Sequence, residues 1–243
     1  NLCLSANSET ENFLKELNSK NMFFHGNIKL INKINSDNIE NINKNILLKE
    51  RFWIAASTNE NEENFCLKVH ANLKKKFKNI ITIIVPRHID RSSKIKSLSE
   101  KFNYNTQLLN KGDLILDNKE VIIVNSFGIL QEYFKYSKSV FIGKSINEKL
   151  KNDSGQNPID AAKLGCKIYH GPYVNNFKDI YDLLKENNIS KKIETFEDLS
   201  ENLIKDLEFP NTKNNLSNQI IEMLGQKTLS DTMKKINNFI FND

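Results

Sequence analysis

Glycine, proline and cysteine are scarce in this 243-residue chain, which contains eight, four and three of them. Cys3, Cys66 and Cys166 lie far apart and form neither a CxxC pair nor a Cys/His spacing. The sequence therefore indicates no zinc site and no disulfide framework, and a reducing compartment is the simple interpretation. Long apolar runs are also missing, because the longest, IITIIV, is far shorter than the roughly 20 residues that span a bilayer.

Charge of one sign is not concentrated in any part of the chain. The formal net charge is +5, and the basic residues are spread out, with KKK at 74–76 as the one tight cluster. This favours a solvated face over a nucleic-acid or lipid-headgroup patch, and no nucleic-acid partner is expected. A hydrophobic content of 39% is sufficient for a sizeable core.

From residue 52 onward, apolar runs alternate with amphipathic segments. Strands are predicted at 52–57, 80–86, 106–110, 121–125, 139–143 and 167–171. Helices are predicted at 60–77, 91–103, 128–137 and 158–164, with tail helices at 174–187, 196–207, 212–224 and 228–241. Uniformly apolar strands separated by helices indicate an α/β fold with a Rossmann-like parallel sheet covered on both faces, followed by a helical C-terminal tail.

Small, polar or basic residues follow five of the six predicted strands. Ligands in such sheets bind at the carboxyl ends of the strands, so these residues are expected to meet at one edge. They are Ser57–Glu60, Pro86–His88, Asn125–Gly128, Ser154–Asn157 and Gly171–Tyr173. Helix starts at that edge favour phosphate, and the planar guanidinium of Arg87 suits a phosphate or a carboxylate. Arg87 could equally form a surface ion pair, and His88 could be a phosphate donor or a loop residue. His25, His70 and His170 are interpreted as structural.

The stretch SGQNPIDAAKLGCKIYHGP, Ser154 to Pro172, contains three of the eight glycines. Helix capping explains Asn157 as N-cap, Pro158 at the first helical position, Asp160 as a capping-box acid and Gly165 as the stop. Capping does not explain Ser154-Gly155-Gln156, where a glycine backbone could approach a phosphate closely. An acid in the first turn could also hold a ribose diol. Cap and pocket are compatible interpretations.

Six motifs follow one another along the chain: WIAAST with Glu60 and Glu62-Glu63, then IIVPRH, VNSFG, FIGKS, SGQNPIDAAKLG, and the GP and NF of HGPYVNNF. This ordered set resembles the C-terminal half of the 3-deoxy-D-manno-octulosonic acid (Kdo) transferases, membrane-associated glycosyltransferases of the GT-B type that build the inner core of lipopolysaccharide. Upstream, LSANSETENFLKEL and HGNIK resemble the end of the family's first domain. The resemblance covers roughly residues 2–185.

This resemblance implies transfer of Kdo from CMP-Kdo to a lipid A precursor without a metal or other cofactor, at the cytoplasmic face of a bacterial inner membrane that the parent protein contacts peripherally. Arg87 would contact donor phosphate or carboxylate, His88 beside it would belong to the donor site, and Ser57 and Thr58 would line the cleft. Phe127 and Gly128 would lie by the nucleotide, Gly155, Gln156 and Asn157 would offer donors, and Asp160 would bind the ribose.

The resemblance also implies a division of the chain at residue 48. Residues 1–48 would be the end of an N-terminal acceptor domain plus a linker, with 29–49 lacking a firm period, and 49–243 would be the donor-binding domain with its helical tail. The first residue is Asn1, not methionine, and we expect the rest of the parent's first domain to be missing here. The family's general base, a glutamate in a glycine-rich loop of that domain, has no convincing substitute in 1–243. No catalytic residue is therefore assigned, and the chain alone is expected to be inactive.

Departures from the family pattern keep two alternatives open. Ser154, Gln156 and Asp160 stand where the family tends to have glycine, histidine and glutamate, while Asn59 replaces a usual histidine and Ile129 a usual acid. One alternative is another GT-B transferase with a UDP- or GDP-sugar donor. The other is a non-catalytic nucleotide-binding module.

Overall fold

A computed structural model describes residues 2–5, 7–209, 213 and 215–241, and its elements follow the predicted alternation. In chain order they are β1 (Cys3–Leu4), α1 (Ser8–Glu16), β2 (Met22–Phe23), α2 (Lys44–Lys49), β3 (Phe52–Thr58), α3 (Glu62–Lys76), β4 (Ile81–Pro86), α4 (Ser92–Lys101), β5 (Thr106–Leu109), β6 (Val121–Val124), α5 (Leu130–Phe134), β7 (Ser139–Ile142), α6 (Ile159–Lys163), β8 (Lys167–His170), α7 (Lys178–Glu186), β9 (Ser190–Lys192), α8 (Phe196–Leu207) and α9 (Asn215–Phe241). Short 3-10 helices lie at Ile28–Ile31, Ser36–Asn38, Ile89–Arg91, Glu148–Asp153 and Asn175–Phe177.

The main sheet has seven parallel strands in the order β5-β6-β4-β3-β7-β8-β9. The chain runs outward from β3 to one side and then returns to pair β7 against the other side of β3. The strand order therefore reverses between β3 and β7, and such a switch point opens a crevice at the carboxyl ends of the strands.

Alternate residues of the central strands face two cores, as expected for a sheet covered on both sides. In β3, Ile54 and Ala56 face the core that includes α5, α6, α7 and α9 residues, while Trp53 and Ala55 face the core beside α3, α4 and α8. Burial of both faces is why these strands are uniformly apolar in sequence. The predicted fold class is confirmed.

Three sequence-based assignments were incomplete. β9 was missed because its sequence, SKK, has no apolar residue, although Ile189 and Ile193 on either side of it are buried. The two helices predicted at 212–224 and 228–241 are one helix, α9, and residue 212 lies outside the described residues. The segment predicted as a linker contains α2 and two 3-10 helices, and its Leu30 and Leu47 are buried in the core.

The error in α9 comes from Gly225, which suggests a helix stop in sequence but lies inside the helix. A Cβ at this position would lie 2.5 Å from the carbonyl oxygen of Leu30. The glycine therefore allows α9 to approach the 3-10 helix at Ile28–Ile31 closely.

α9 also contacts the N-terminal elements. β1 and β2 form a separate two-stranded parallel sheet, and a Cβ on Gly26 would lie 2.7 Å from Oγ1 of Thr228. The ammonium of Lys235 lies 3.5 Å from the centre of the Phe23 ring. The division into 1–48 and 49–243 stays a prediction. Among the described helices, none is long and apolar enough to span a membrane.

Candidate functional site

The candidate site lies at the carboxyl edge of the main sheet, beside the switch between β3 and β7. Ser57 ends the regular part of β3 with a positive φ of 55°, and the register with β4 shifts between Ala56 and Thr58. Thr58 is fully buried, and its hydroxyl has no hydrogen-bond partner within the described part of the chain. Its carbonyl accepts from the backbone N–H of Arg87 at 3.0 Å, which ties the ends of β3 and β4 together.

Arg87 and His88 are both exposed at this edge. Among the described residues no ion pair involves Arg87, so the surface ion pair considered from the sequence is not found there. Arg91 forms that kind of contact instead, donating from both terminal nitrogens to the Glu63 carboxylate at 2.9 Å each. The guanidinium of Arg87 is therefore available to an anionic ligand.

Phe127 and Gly128 lie in the loop between β6 and α5. The Phe127 side chain is 65% exposed. Gly128 has a φ of 78°, and a Cβ added to it would have no neighbour within 4 Å, so backbone conformation alone favours glycine there. Asp160 on α6 is joined to this region because its Oδ2 accepts from Nε2 of Gln131 on α5 at 2.9 Å.

Capping explains part of the stretch from Ser154 to Pro172. Oδ1 of Asn157 accepts from the N–H of Ile159 at 3.0 Å, but Pro158 occupies the N-cap and α6 begins at Ile159, so the positions predicted for Asn157 and Pro158 are each one residue off. Gly165 has a φ of 74° directly after the helix and confirms the predicted stop. The predicted capping-box role of Asp160 is wrong for the described contacts, because its carboxylate binds the Gln131 side chain rather than the cap backbone.

The remaining glycines of this stretch are explained by close approach of backbone to backbone. Gly155 has a φ of 87°, its N–H donates to the carbonyl of Lys144 at 2.6 Å, and a Cβ would lie 2.9 Å from Cα of Val174. A Cβ on Gly171 would overlap the carbonyl oxygen of Ser145. Gln156 is half-buried, and its carbonyl accepts from the hydroxyl of Tyr181 at 2.9 Å. The loops after β7 and β8 therefore pack directly on 154–156.

Two buried acids at the start of α3 were not assigned any role from the sequence. Glu62 and Glu63 are 1% and 2% exposed. Glu63 pairs with Arg91, while the Glu62 carboxylate accepts four backbone N–H groups. Burial raises the pKa of Glu62, and these four donors oppose that shift because they favour the ionised form. An adjacent acid pair in the first turn of a helix after a buried strand was the available sequence signal.

His170 at the end of β8 has the structural role expected from the sequence. Its Nδ1 lies 2.8 Å from the carbonyl oxygen of Gly171, to which it donates, and burial lowers the pKa of the ring to about 4. The described residues contain no group of three or more His, Cys, Asp or Glu side chains placed to hold a metal ion.

Comparison with known proteins gives relatives of one kind, although no family model matches the chain. The chain is 31% identical over 134 residues to the 3-deoxy-D-manno-octulosonic acid transferase of Haemophilus influenzae, covering 55% of this chain and 30% of that protein. It is 27% identical to the Aquifex aeolicus transferase, covering 76% and 47%, and 29% identical to that of Rickettsia prowazekii, covering 87% and 44%. The chain thus spans between about a third and a half of the curated relatives that it matches.

Solved structures show the same fold. The C-terminal CMP-Kdo binding domain of WaaA from Acinetobacter baumannii matches with a TM-score of 0.60 and 22% identity, covering 76% of this chain and 91% of that one. The MnaA–UDP structure from S. aureus matches with a TM-score of 0.56 and 11% identity, covering 98% and 60%. Together these comparisons confirm the resemblance to the C-terminal part of the Kdo transferases and the GT-B type of fold.

Proposed function

We propose, from the premise that the chain resembles the C-terminal part of the Kdo transferases, that it binds CMP-Kdo as the donor of a glycosyl transfer. The parent protein would move Kdo from this donor to a lipid A precursor at a bacterial inner membrane, and no metal would take part. The observation that carries the proposal is the exposed Arg87, without an ion-pair partner in the described structure, at the carboxyl edge beside the strand-order switch. The relatives are named Kdo transferases, and a fold neighbour is named as a CMP-Kdo binding domain.

The residues at this edge suit the charges of a CMP-sugar. Such a donor carries a phosphate and a sugar carboxylate, and the planar guanidinium of Arg87 can donate two hydrogen bonds to either group. CMP leaves with the bonding electrons, so negative charge grows on its phosphate in the transition state. A fixed cation beside that phosphate lowers the barrier. His88, also exposed, offers a further donor to the same group.

Asp160 and Phe127 suit the nucleoside. Gln131 occupies only Oδ2 of Asp160, so Oδ1 accepts no hydrogen bond from the described residues and can take one from a ribose hydroxyl. The exposed ring of Phe127 provides an apolar face for a base. The half-buried Gln156 and the exposed Asn157 complete the side chains that the resemblance assigns to the donor, whereas the N–H of Gly155 is already donated to the carbonyl of Lys144.

Calorimetric titration of the chain with CMP, UMP and GMP tests the proposal. We expect CMP to bind most tightly, and both Arg87→Ala and Asp160→Ala to weaken it by about tenfold or more, as loss of a charge-assisted contact does. Lys101→Ala, which removes an exposed cation from the last turn of α4, is the matched control and should leave CMP affinity unchanged. Asp160→Asn keeps the side-chain size while removing the charge.

A second candidate is a GT-B transferase with a different nucleotide. Ser154, Gln156 and Asp160 depart from the family pattern, and tighter binding of UMP or GMP than of CMP would favour a UDP- or GDP-sugar donor. Absence of binding to all three would contradict donor binding. We also propose that the chain alone does not transfer sugar, because no carboxylate in it takes the place of the family's general base. Transfer of Kdo to a lipid A precursor by this chain alone would overturn that part.

A further inference from the structure

Glu62 lies directly beneath the candidate site, with both carboxylate oxygens fully used. Oε2 accepts from the backbone N–H of Asn59 at 2.8 Å and of Lys144 at 2.6 Å. Oε1 accepts from the N–H of Ser145 at 2.8 Å and of Ile146 at 3.1 Å. One buried side chain of α3 therefore holds the loop after β3 and the loop after β7, which are the two loops on either side of the switch point.

The two strands can approach Glu62 this closely only because residue 143 is a glycine. A Cβ on Gly143 would lie 2.7 Å from Oε2 of Glu62 and 2.7 Å from the carbonyl oxygen of Ser57. Lys144 then takes a positive φ of 57°, a conformation that costs free energy for a residue with a side chain. The carboxylate compensates that cost with a charge-assisted hydrogen bond to the N–H of the same residue.

The loop that Glu62 holds, residues 143–146, is in turn contacted by the rest of the site. The carbonyl of Lys144 accepts from Gly155, the hydroxyl of Ser145 accepts from Gly171 at 2.9 Å, and the carbonyl of Ser145 accepts from Tyr173 at 2.9 Å. Each of these donors is a backbone N–H, so the path of the chain at 155, 171 and 173 depends on the position of this one loop.

We propose that Glu62 is a positioning residue, whose carboxylate sets the loop at 143–146 and through it the Gly155–Asn157 segment in the arrangement that binds the donor. The inference rests on the proposed function for its binding readout. Its physical basis is that only a carboxylate accepts at every one of its hydrogen-bonding sites. The amide of a glutamine would turn N–H donors toward two of the four backbone N–H groups, and those groups would be left unpaired in a buried place.

A buried acid at the other edge of the sheet separates positioning from general stability. Asp206 on α8 is 7% exposed and accepts from Ser139 at 2.7 Å, from Tyr169 at 2.6 Å and from Lys167 at 3.1 Å. Asp206→Asn disturbs a buried carboxylate with three hydrogen bonds, against four at Glu62, and none of these three involves a described loop at the carboxyl edge.

The experiment is CMP titration of Glu62→Gln and Asp206→Asn, each at a temperature where circular dichroism shows it folded. We expect Glu62→Gln to weaken CMP binding by about tenfold or more, because small misplacements of binding groups have effects of this size. Asp206→Asn should lower the unfolding temperature while leaving CMP affinity within about twofold. Equal CMP affinity in Glu62→Gln and wild type, or equal loss in both variants, would overturn the proposal.

Amide hydrogen exchange separates failure of this inference from failure of the proposed function. Glu62→Gln should lose protection at the directly bonded amides of Asn59, Lys144, Ser145 and Ile146, and at the relayed amides of Gly155, Gly171 and Tyr173. If wild type binds no nucleotide, the function fails, and loss at both sets of amides still supports positioning. Loss of protection at the directly bonded amides alone would contradict the positioning role of Glu62. If Glu62→Gln does not fold, Ser145→Ala replaces it, with faster exchange at Gly171 and weaker CMP binding as the expected result.

Discussion

The two edges of the main sheet differ in how their polar groups are satisfied. At the amino edge, side chains hydrogen-bond to one another: Trp53 donates to Thr82 at 2.8 Å, Thr82 contacts His70 at 2.8 Å, and Asp206 joins Ser139 and Tyr169. Among the described residues, buried atoms without a hydrogen-bond partner occur at both edges: Nε2 of His70 at the amino edge, and Oγ1 of Thr58, Oγ of Ser92 and Nε2 of His170 at the carboxyl edge. Positive φ values occur at both edges, but at the amino edge they belong to Asn and Gly residues such as Asn118 and Asn188, whereas at the carboxyl edge they include Ser57 and Lys144, for which this conformation costs more.

Under the proposed function, this difference separates an edge whose side chains stabilise the fold from an edge that binds the donor. Buried polar groups are normally paired, and backbone strain persists where function requires it. The amino edge has the side chain-to-side chain hydrogen bonds expected of a structure optimised for stability. The carboxyl edge keeps exposed Arg87 and His88 above loops that are held mainly by backbone contacts to Glu62. A substitution at the amino edge should therefore lower stability more than ligand binding. A substitution at the carboxyl edge should weaken ligand binding more than stability.

The largest effect of a single substitution on stability is expected for Asp206→Ala at the amino edge. It leaves the hydroxyls of Ser139 and Tyr169 without their acceptor and Lys167 without its ion-pair partner, which should lower the free energy of unfolding by about 3 kcal/mol. Urea denaturation measures this. Glu201→Gln, an exposed position on the same helix, is the control and should have almost no effect. A loss no larger than that of the control would contradict the assignment of stability to this edge.

The next effect is a loss of stability in mild acid. Burial lowers the pKa of both His70 and His170 to about 4, below the value of about 6.5 in an unfolded chain. The unfolded state therefore binds protons first as pH falls, and each ring should cost about 2 kcal/mol between about pH 7 and about pH 5.

The charged groups near each ring decide the details of this acid effect. Glu120 opposes the shift of His70 and Lys74 adds to it, while Asp182 opposes that of His170 and Lys192 and Lys185 add to it. The Thr82 hydroxyl oxygen accepts a hydrogen bond from the indole N–H of Trp53. Its own O–H can then donate to Nδ1 of His70. His70→Asn keeps such an acceptor, so it should reduce the pH dependence by about half in urea denaturation. An unchanged pH dependence would remove His70 as a cause.

A smaller effect is expected for Gly155→Ala at the carboxyl edge, and the chain provides its control. Gly155 and Gly112 have the same φ of 87°, but only Gly155 has a neighbour, Val174, within 4 Å of an added Cβ. Gly112→Ala should cost about 1 kcal/mol for backbone strain alone, and Gly155→Ala about 1 kcal/mol more, with weaker CMP binding. Thermal unfolding of both variants compares them. Equal losses would show that the approach of Val174 is not tight.

The sequence predicted what depends on local pattern and missed what depends on distant contacts. Apolar runs identified the six strands from β3 to β8, and cap chemistry identified the end of α6 at Gly165 and its N-cap to within one residue of Asn157. β9 was missed because its hydrogen bonds to β8, rather than its composition, make it a strand. Gly225 suggested a helix end because the group that leaves no room for a Cβ there, the carbonyl of Leu30, is far away in sequence.

The same distinction applies to the candidate site. The order of strands and loops was sufficient to bring Ser57, Arg87 and Gly155 to one edge of the sheet. The role of Glu62 was not visible, because three of its four donors lie more than 80 residues away. A glutamate in a first helical turn also has an ordinary explanation in the helix dipole. Contacts between residues this far apart in sequence are determined by the packing of β3 against β7, which no local pattern encodes.

The smallest effect on stability is expected where the effect on binding is largest. Arg87 is exposed and has no ion-pair partner in the described part of the molecule, so Arg87→Ala should change the free energy of unfolding by less than about 0.5 kcal/mol. Urea denaturation and CMP titration of Arg87→Ala and Asp206→Ala compare the two edges directly. A loss above about 1 kcal/mol for Arg87→Ala would mean that its guanidinium stabilises the fold, and the contrast between a ligand edge and a stability edge would not hold at this residue.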